Sequence, residues 1–440
     1  MAAIKKAVRR QILNALPKGI VEKDTLKARR RHRSIAKVIS SIERFAGTAD
    51  QSADGWKSAV GDDVAAKAAV NRWRQADAID SISPAELSDL VDYALGAPGV
   101  ALGRALSRHD PSILEAKRFP ELVRLSWQGL RAYLDNPVLL SALDGKTAVD
   151  QVMRAVVDGG LESALDEHFW LRAQNLQEGA AGLAKDLQAA LTLRAGSFNF
   201  HSVGGKHHKI QVRCHAAVPF GDAEAEPAVK TKDGGDSTPS AAARPDEIRR
   251  SFNTPFWPHV LATTSVGQEG LDFHPWCSRV LHWDLSSNPL DLEQREGRVQ
   301  RFAGLAVRRR LAKNLMSDVW NDPNKADGSP WMRLAKFADS QSDISGMQPW
   351  WVLEGAEITR HVFERPFGRD IARFAQLKEQ RMIYRLALGQ PNQEDFLEIL
   401  SRGGAATRAL LHPLVLDLSA MGLRQVPQVD GRPLTIEEKG

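Results

Sequence analysis

Cysteine is scarce in this sequence: Cys214 and Cys277 are the only two in 440 residues. They stand far apart and match no metal-ligand spacing, which argues against a disulfide framework and predicts two reduced thiols. No run approaches the ~20 apolar residues of a membrane span. The start, Met1-Ala-Ala-Ile-Lys-Lys6, is not followed by an apolar core of signal-peptide length. These absences point to the cytoplasm and to no membrane partner. Charge of one sign is also in short supply, with 59 Lys and Arg against 54 Asp and Glu and a net +5. Bulk charge alone therefore does not mark a nucleic-acid binder.

The length suffices for two or three domains with sizeable cores. Hydrophobic residues at 43% and charged residues at 26% are ordinary for a soluble globular chain. The distribution of charge says more than its sum. Basic residues far outnumber acidic ones between Met1 and Arg44, and Arg308-Arg-Arg310 with Lys313 forms a second cluster. Each reads equally well as a phosphate-contacting stripe or as a solvated helix face.

Residues 1–195 read as mainly helical. Ser83-Pro-Ala-Glu86 opens a helix, with a serine cap, proline in the first turn and glutamate three residues on. Apolar residues at three- and four-residue spacing predict helices around 122–134, 149–171 and 176–193. Lys209–Phe220 reads as a strand, and 221–245 as a flexible loop rich in Gly, Ala, Pro and Ser. Asp246–Phe252 is a short helix, while His259–Thr263 and Arg279–Asp284 are apolar runs of strand length. Asn288-Pro289 caps a helix expected to run to Phe302. Strands alternating with helices over 196–317 predict an α/β domain with a parallel sheet, and 318–440 a helical C-terminal extension.

On a helical wheel for 289–302, Leu292, Val299 and Phe302 share one side, which should pack. Gln294, Arg298 and Arg301 share another, with Arg295 at its shoulder. Arginines converging from one helix repel unless something anionic faces them, and guanidinium groups suit phosphate oxygens. The bland alternative is a surface helix whose arginines pair with Glu293 and Glu296. The preceding loop, Ala262–Phe273, offers hydroxyls at a strand's carboxyl end and glycines that allow close backbone approach.

Thr263-Thr-Ser-Val-Gly-Gln-Glu-Gly-Leu-Asp272 resembles motif V of superfamily-two helicases. Asn288-Pro-Leu-Asp-Leu-Glu-Gln-Arg-Glu-Gly-Arg-Val-Gln-Arg301 resembles motif VI, whose core is Gln-Arg-x-Gly-Arg-x-x-Arg. Val280-Leu-His-Trp-Asp-Leu-Ser-Ser-Asn-Pro289 is similar to the segment joining these motifs in the Swi/Snf-like group, which includes the bacterial RNA polymerase recycling ATPase. The likeness is close from Ser251 to Arg310. A looser one to bacterial helicases, several associated with phage-defence loci, covers Ser251–Pro258, Leu161–Glu167 and Tyr384–Asp395. Arg301-Phe-Ala-Gly304 departs from the Arg-Ile-Gly-Gln usual in the group.

The resemblance implies a RecA-like domain, the second of two between which ATP and Mg2+ sit. It gives Arg298 and Arg301 the ATP phosphates, places Gln294 and Arg295 near the nucleotide, and makes Gly270 and Asp272 couple nucleotide to domain closure. It sets Thr263 and Thr264 against the nucleic-acid backbone, DNA being the expected strand.

The first RecA-like domain has no counterpart here. Gly145-Lys-Thr147 is the only Gly-Lys-Thr, and the glycine a P-loop needs five residues earlier is Leu140. Asp166-Glu-His168 lies in a helical rather than a strand pattern, so it is not read as the acidic box for Mg2+. A truncated or split frame, a separate protein carrying the first domain, and a free-standing pseudo-helicase all fit. The expected function is the C-terminal half of an ATP-dependent DNA helicase or translocase, inactive alone. The alternative is a non-enzymatic nucleic-acid-binding or assembly module that keeps only the fold. His201, His207, His208, Cys214 and His215 match no zinc pattern, and no metal site is expected. The eleven tryptophans, Trp350-Trp351 among them, are expected to serve packing, with base stacking the alternative.

Overall fold

A computed structural model describes residues 2–16, 18, 20–21, 35–45, 49–75, 81–114, 118–134, 140–141, 143–145, 147–158, 160–174, 178–192, 196–200, 210–214, 245–263, 272–322, 328–343, 346–387, 398 and 402. The loop expected at 221–245, apart from its last residue, lies outside these, as do Thr264, Gly270 and the tail after Pro427. The chain divides into two compact units. One comprises 1–218, 230–260 and 326–332; the other comprises 219–229, 261–325 and 333–440.

The described part of the first unit is mostly helical. Its helices are α1 (Ala2–Ala15), α2 (Ile35–Phe45), α3 (Ala49–Val60), α4 (Val64–Arg74), α5 (Pro84–Gly96), α6 (Pro98–His109), α7 (Arg118–Leu134), α8 (Ala148–Asp158), α9 (Leu161–Ala173), α10 (Gly179–Leu191) and α11 (Pro245–Phe252). The predicted cap of α5 is present: Ser83 Oγ accepts from Glu86 N, and Glu86 returns a carboxylate to Ser83 N. The expected helix over 149–171 is two helices, because Gly160 sits at φ +67° and turns the chain between α8 and α9.

Leu102, Leu106, Leu130, Leu165, Phe169, Leu183 and Leu187 from α6, α7, α9 and α10 form the main core. Gly129 lets α7 and α10 approach closely, since a Cβ there would stand 2.9 Å from Leu191 Cβ. The only strands described in this unit, β1 (Gly196–Phe200) and β2 (Ile210–Cys214), pair antiparallel. Ile210–Cys214 of the expected Lys209–Phe220 strand is present as β2, and the rest of that expectation lies outside the described residues.

The second unit holds β3 (Arg279–His282), α12 (Pro289–Gly297), α13 (Leu305–Asn321), β4 (Thr359–Val362) and α15 (Asp370–Ala387). Pro330–Asp339, α14, precedes β4. β3 and β4 pair parallel, with Arg279 opposite Thr359 and His282 opposite Val362. Leu285, Leu292 and Leu377, with Val362 and Phe374, form a core that joins this strand pair to α12 and α15.

Three expectations are corrected here. His259–Thr263 carries no strand. Its apolar run gave the right length but no ladder partner, and periodicity alone cannot supply one. The helix from Pro289 ends at Gly297, with Arg298 as its C-cap, so Arg301 is not one of its positions. Phe302, placed on the packed side by the longer helix, is 44% exposed instead. Among the described residues, no helix is long and apolar enough to cross a membrane, and no group of His, Cys, Asp or Glu is gathered to hold a metal ion.

Candidate functional site

The segment that carries the predicted site residues is built around α12. Asn288 caps it, its side-chain oxygen accepting from Leu290 N at 2.9 Å, and Pro289 occupies the first turn. Leu292 is fully buried, and Val299, just past the helix, is 6% exposed. Gln294 is exposed, whereas Arg295, Arg298 and Arg301 are half-buried. Arg295 Nη1 donates to Asp284 O at 2.8 Å and so ties α12 to the turn after β3.

Asp272 is the described end of the glycine-bearing loop, and its Oδ1 lies 2.7 Å from Arg301 Nη1. Arg301 Nε also donates to Gly297 O at 3.1 Å. Next door, Phe273 N donates to Arg298 O at 3.0 Å and Leu305 N to His274 O at 3.0 Å. One ion pair therefore joins the two predicted motifs, and two backbone bonds tie residues in or just past them. Of the two threonines, Thr263 is exposed.

Glu293 and Glu296 of α12 meet arginines from other elements. Glu296 is 5% exposed; Arg360 Nε from β4 stands 2.9 Å and Arg381 Nη1 from α15 3.1 Å from its Oε2. His282 Nε2 of β3 lies 3.6 Å from Oε1. Burial alone would raise the Glu296 pKa, but His282, Arg360 and Arg381 outweigh it and hold it at about 2. Glu293 Oε1 accepts from Arg385 Nε at 3.0 Å. In the bland alternative Glu293 and Glu296 neutralise the arginines of their own helix; the described partners of both are instead arginines of β4 and α15.

Arg298 is what remains. Among the described residues it has no ion pair and no side-chain hydrogen bond, and its Nε is buried. Water or an anion can complete a half-buried guanidinium, and the enclosed Nε is the atom left without an acceptor. Of the three arginines, Arg298 alone has no side-chain acceptor among the described residues.

The second basic cluster is not a surface stripe. Arg308 is fully buried, its Nη1 donating to Ala303 O at 2.6 Å, its Nη2 to Pro275 O, and its guanidinium lying 5.3 Å from the Trp276 ring. It holds the segment before β3 against the one after α12. Arg309 is exposed and Arg310 half-buried, bonded to Ser278 Oγ and Glu354 O. Sequence reasoning missed Arg308's role because a run of three arginines gives no sign of which one points inward.

The other basic-looking or acidic-looking signals resolve locally. Thr147 Oγ1 accepts from Asp150 N at 3.1 Å and so starts α8. Asp166 is buried on α9, where Ser329 Oγ donates to it at 2.8 Å and Arg108 stands 3.6 Å away. Burial outweighs the Ser329 and Arg108 contacts and leaves its carboxyl above the usual carboxylate range. Packing accounts for Trp170, Trp331 and Trp350, each under 10% exposed, but not for Trp283, Trp320 and Trp351.

Residues 241–303 match the family model of the helicase conserved C-terminal domain. No curated protein and no solved structure matches the chain. The match supports a helicase-family function and nucleic-acid interaction for this segment. It holds both motifs and ends at Ala303, whose φ of +50° forms the turn into α13. The arginines that occupy Glu293 and Glu296 lie beyond the helicase-matching segment.

His274, inside that segment, gives a direct check on the packing. Burial lowers its pKa, Asp272 works against that, and Arg301 and Arg308 lower it further, to about 4. The imidazole is therefore neutral at pH 7. An unfolded histidine binds its proton near 6.5, so acid favours unfolding between about 6.5 and 4. A proton NMR titration, assigned with His274→Gln, is expected to show a midpoint near 4. A midpoint near 6.5 would mean that His274 is not enclosed as described.

Proposed function

We propose that this chain supplies the second RecA-like half of an ATP-dependent nucleic-acid helicase or translocase of the bacterial Swi/Snf-like kind, with DNA as its strand. The observation that carries this reading is the guanidinium of Arg298, which has no partner among the described residues, within a segment that matches the helicase C-terminal domain. An arginine presented across a cleft to a γ-phosphate stabilises charge that develops during phosphoryl transfer. ATP would supply the transferable phosphoryl group, and Mg2+ would screen it.

The residues divide the work as follows. Arg298 meets the γ-phosphate. Arg301 joins it once its bond to Asp272 is exchanged for a phosphate oxygen. The 2.7 Å Asp272–Arg301 pair then acts as the latch by which the glycine-bearing loop, through Gly270 and Asp272, senses the nucleotide. Gln294 and Arg295 lie close to the nucleotide, and Thr263 and Thr264 face the strand's backbone. A first RecA-like domain, carried by a separate protein or by a further part of a longer chain, would hold the Mg2+. The complete motor works in the cytoplasm.

The test is ATP turnover by the purified chain, with and without single- and double-stranded DNA. Turnover at or near zero is expected until a protein with a P-loop and acidic box is added. Turnover by the chain alone that vanishes in Arg298→Ala would sink the half-motor reading and show a phosphate site of its own. Salt-sensitive DNA binding with no turnover, even with such a protein present, would favour the non-enzymatic module.

A further inference from the structure

Among the described residues, the parallel strand pair of the second unit is covered on one face only. His282, 2% exposed, and Val362 turn toward α12 and α15, His282 lying 6.4 Å from the Phe374 ring. Strand alternation puts Arg279 and Leu281 on the opposite face of β3, and Thr359 and His361 on that of β4, and Trp283 and Phe363 follow the two strands directly. That face is open: Leu281 is 57%, Trp283 63% and Phe363 36% exposed. Parallel strands in globular proteins are ordinarily buried on both faces.

The open face carries a built feature. Trp283 and Phe363 lie ring on ring, with centroids 4.2 Å apart and planes 13° from parallel. Phe363 N donates to His282 O at 3.0 Å, which keeps the two aromatic residues abreast at the end of the strands. Phe363 supports one face of the indole, and the exposure of Trp283 leaves the other free. At the opposite end of β3, ~13 Å along the strand, Arg279 is exposed. Arg309, also exposed, is held beside it by its bond to Ser278 Oγ. Asp284, which follows the tryptophan, is matched by Arg365 at 3.6 Å.

We propose that this face binds single-stranded nucleic acid, with a base stacked on the free face of Trp283 and phosphates drawn to Arg279 and Arg309. The inference rests on the helicase reading for the kind of ligand, and its site is separate from the arginines of α12. A flat ring pre-set by a second ring, with guanidinium groups along the same surface, is the combination that holds unpaired strands without reading their sequence. A protein segment covering the face would need apolar surface along its whole length, whereas here Arg279, Thr359 and His361 interrupt it.

The experiment uses the full chain and end-labelled 12-residue deoxy- and ribo-oligonucleotides, followed by anisotropy at several salt concentrations, with a blunt duplex alongside. Trp283→Ala is expected to weaken single-strand binding roughly 5- to 100-fold, and Trp283→Phe to stay within about threefold of wild type. Arg279→Ala is expected to flatten the salt dependence by about one counterion. A bromouracil oligonucleotide should crosslink at Trp283 in the unaltered protein, a readout that does not depend on any variant folding. The ratio of the deoxy and ribo affinities tells which strand is preferred. Unchanged binding in Trp283→Ala, an equal loss for the blunt duplex, no single-strand binding by wild type, or a crosslink that maps elsewhere would each overturn the proposal. None of these outcomes bears on Arg298-dependent turnover, which tests the helicase reading separately.

Discussion

With the first domain supplied, Arg298→Ala is expected to lower ATP turnover by about 10³- to 10⁵-fold, the range that an arginine finger contributes to phosphoryl transfer. The helix should survive the change. Arg298 is the C-cap of α12, held by its backbone N–H to Arg295 O and Gln294 O, and its side chain bonds to nothing described. Thermal unfolding and DNA binding are therefore expected to stay close to wild type. Arg298→Lys should rescue little, because a lysine offers a single ammonium where a guanidinium presents a planar fork. Arg301→Ala is expected to differ in kind, since it also frees Asp272 and so unfastens the loop. Steady-state turnover of all three variants, measured beside strand affinity, checks this. Full turnover in Arg298→Ala would remove the arginine from the mechanism.

Glu296→Ala is expected to be the most damaging single change for the stability of the second unit, by about 3–5 kcal/mol. Glu296 is nearly enclosed and faces two arginines and a histidine from β3, β4 and α15. Its removal leaves cationic groups turned toward a site with no counter-charge. Two changes that remove the charge pair together, Glu296→Ala with Arg381→Ala, should cost less than the sum of the singles. The pH dependence has a fixed sign. The folded pKa of about 2 lies below the ordinary 4.5, so the stabilisation is fully present above about 4.5 and is lost as pH falls toward 2. Urea unfolding from pH 7 to pH 3 should show this decline in wild type and lose this contribution to it in Glu296→Gln. An unchanged slope would show that the carboxylate is not held as described.

Several elements were legible from the residues alone because their causes are local. The Ser83 cap of α5 and the Asn288 cap of α12 each need only a side chain and an amide two or three residues away. The two motif-bearing segments were legible for a different reason: their residue order is distinctive over a short span, and 241–303 matches the helicase C-terminal domain on its own. The break between α8 and α9 was hidden because an apolar period can continue across a glycine that turns the chain. β4 was hidden too. Thr359-Arg-His-Val362 has no apolar alternation, since one of its faces is open and its only described ladder partner lies some eighty residues earlier.

The candidate site shows the same division. Spacing put Arg295, Arg298 and Arg301 within reach of one another, and composition offered Glu293 and Glu296 as their partners. Which carboxylate meets which guanidinium was settled by β4 and α15, whose Arg360, Arg381 and Arg385 come from 64 to 92 positions away. The sequence by itself determined the helix caps, the helicase-like segment and the supply of arginines, because each depends on neighbours within a turn or two. The tertiary structure alone decided that Arg308 is buried, that Arg301 is held by Asp272 and that Arg298 has no side-chain partner among the described residues. Charge pairing acts through space over a few ångströms, and distance along the chain carries no record of it.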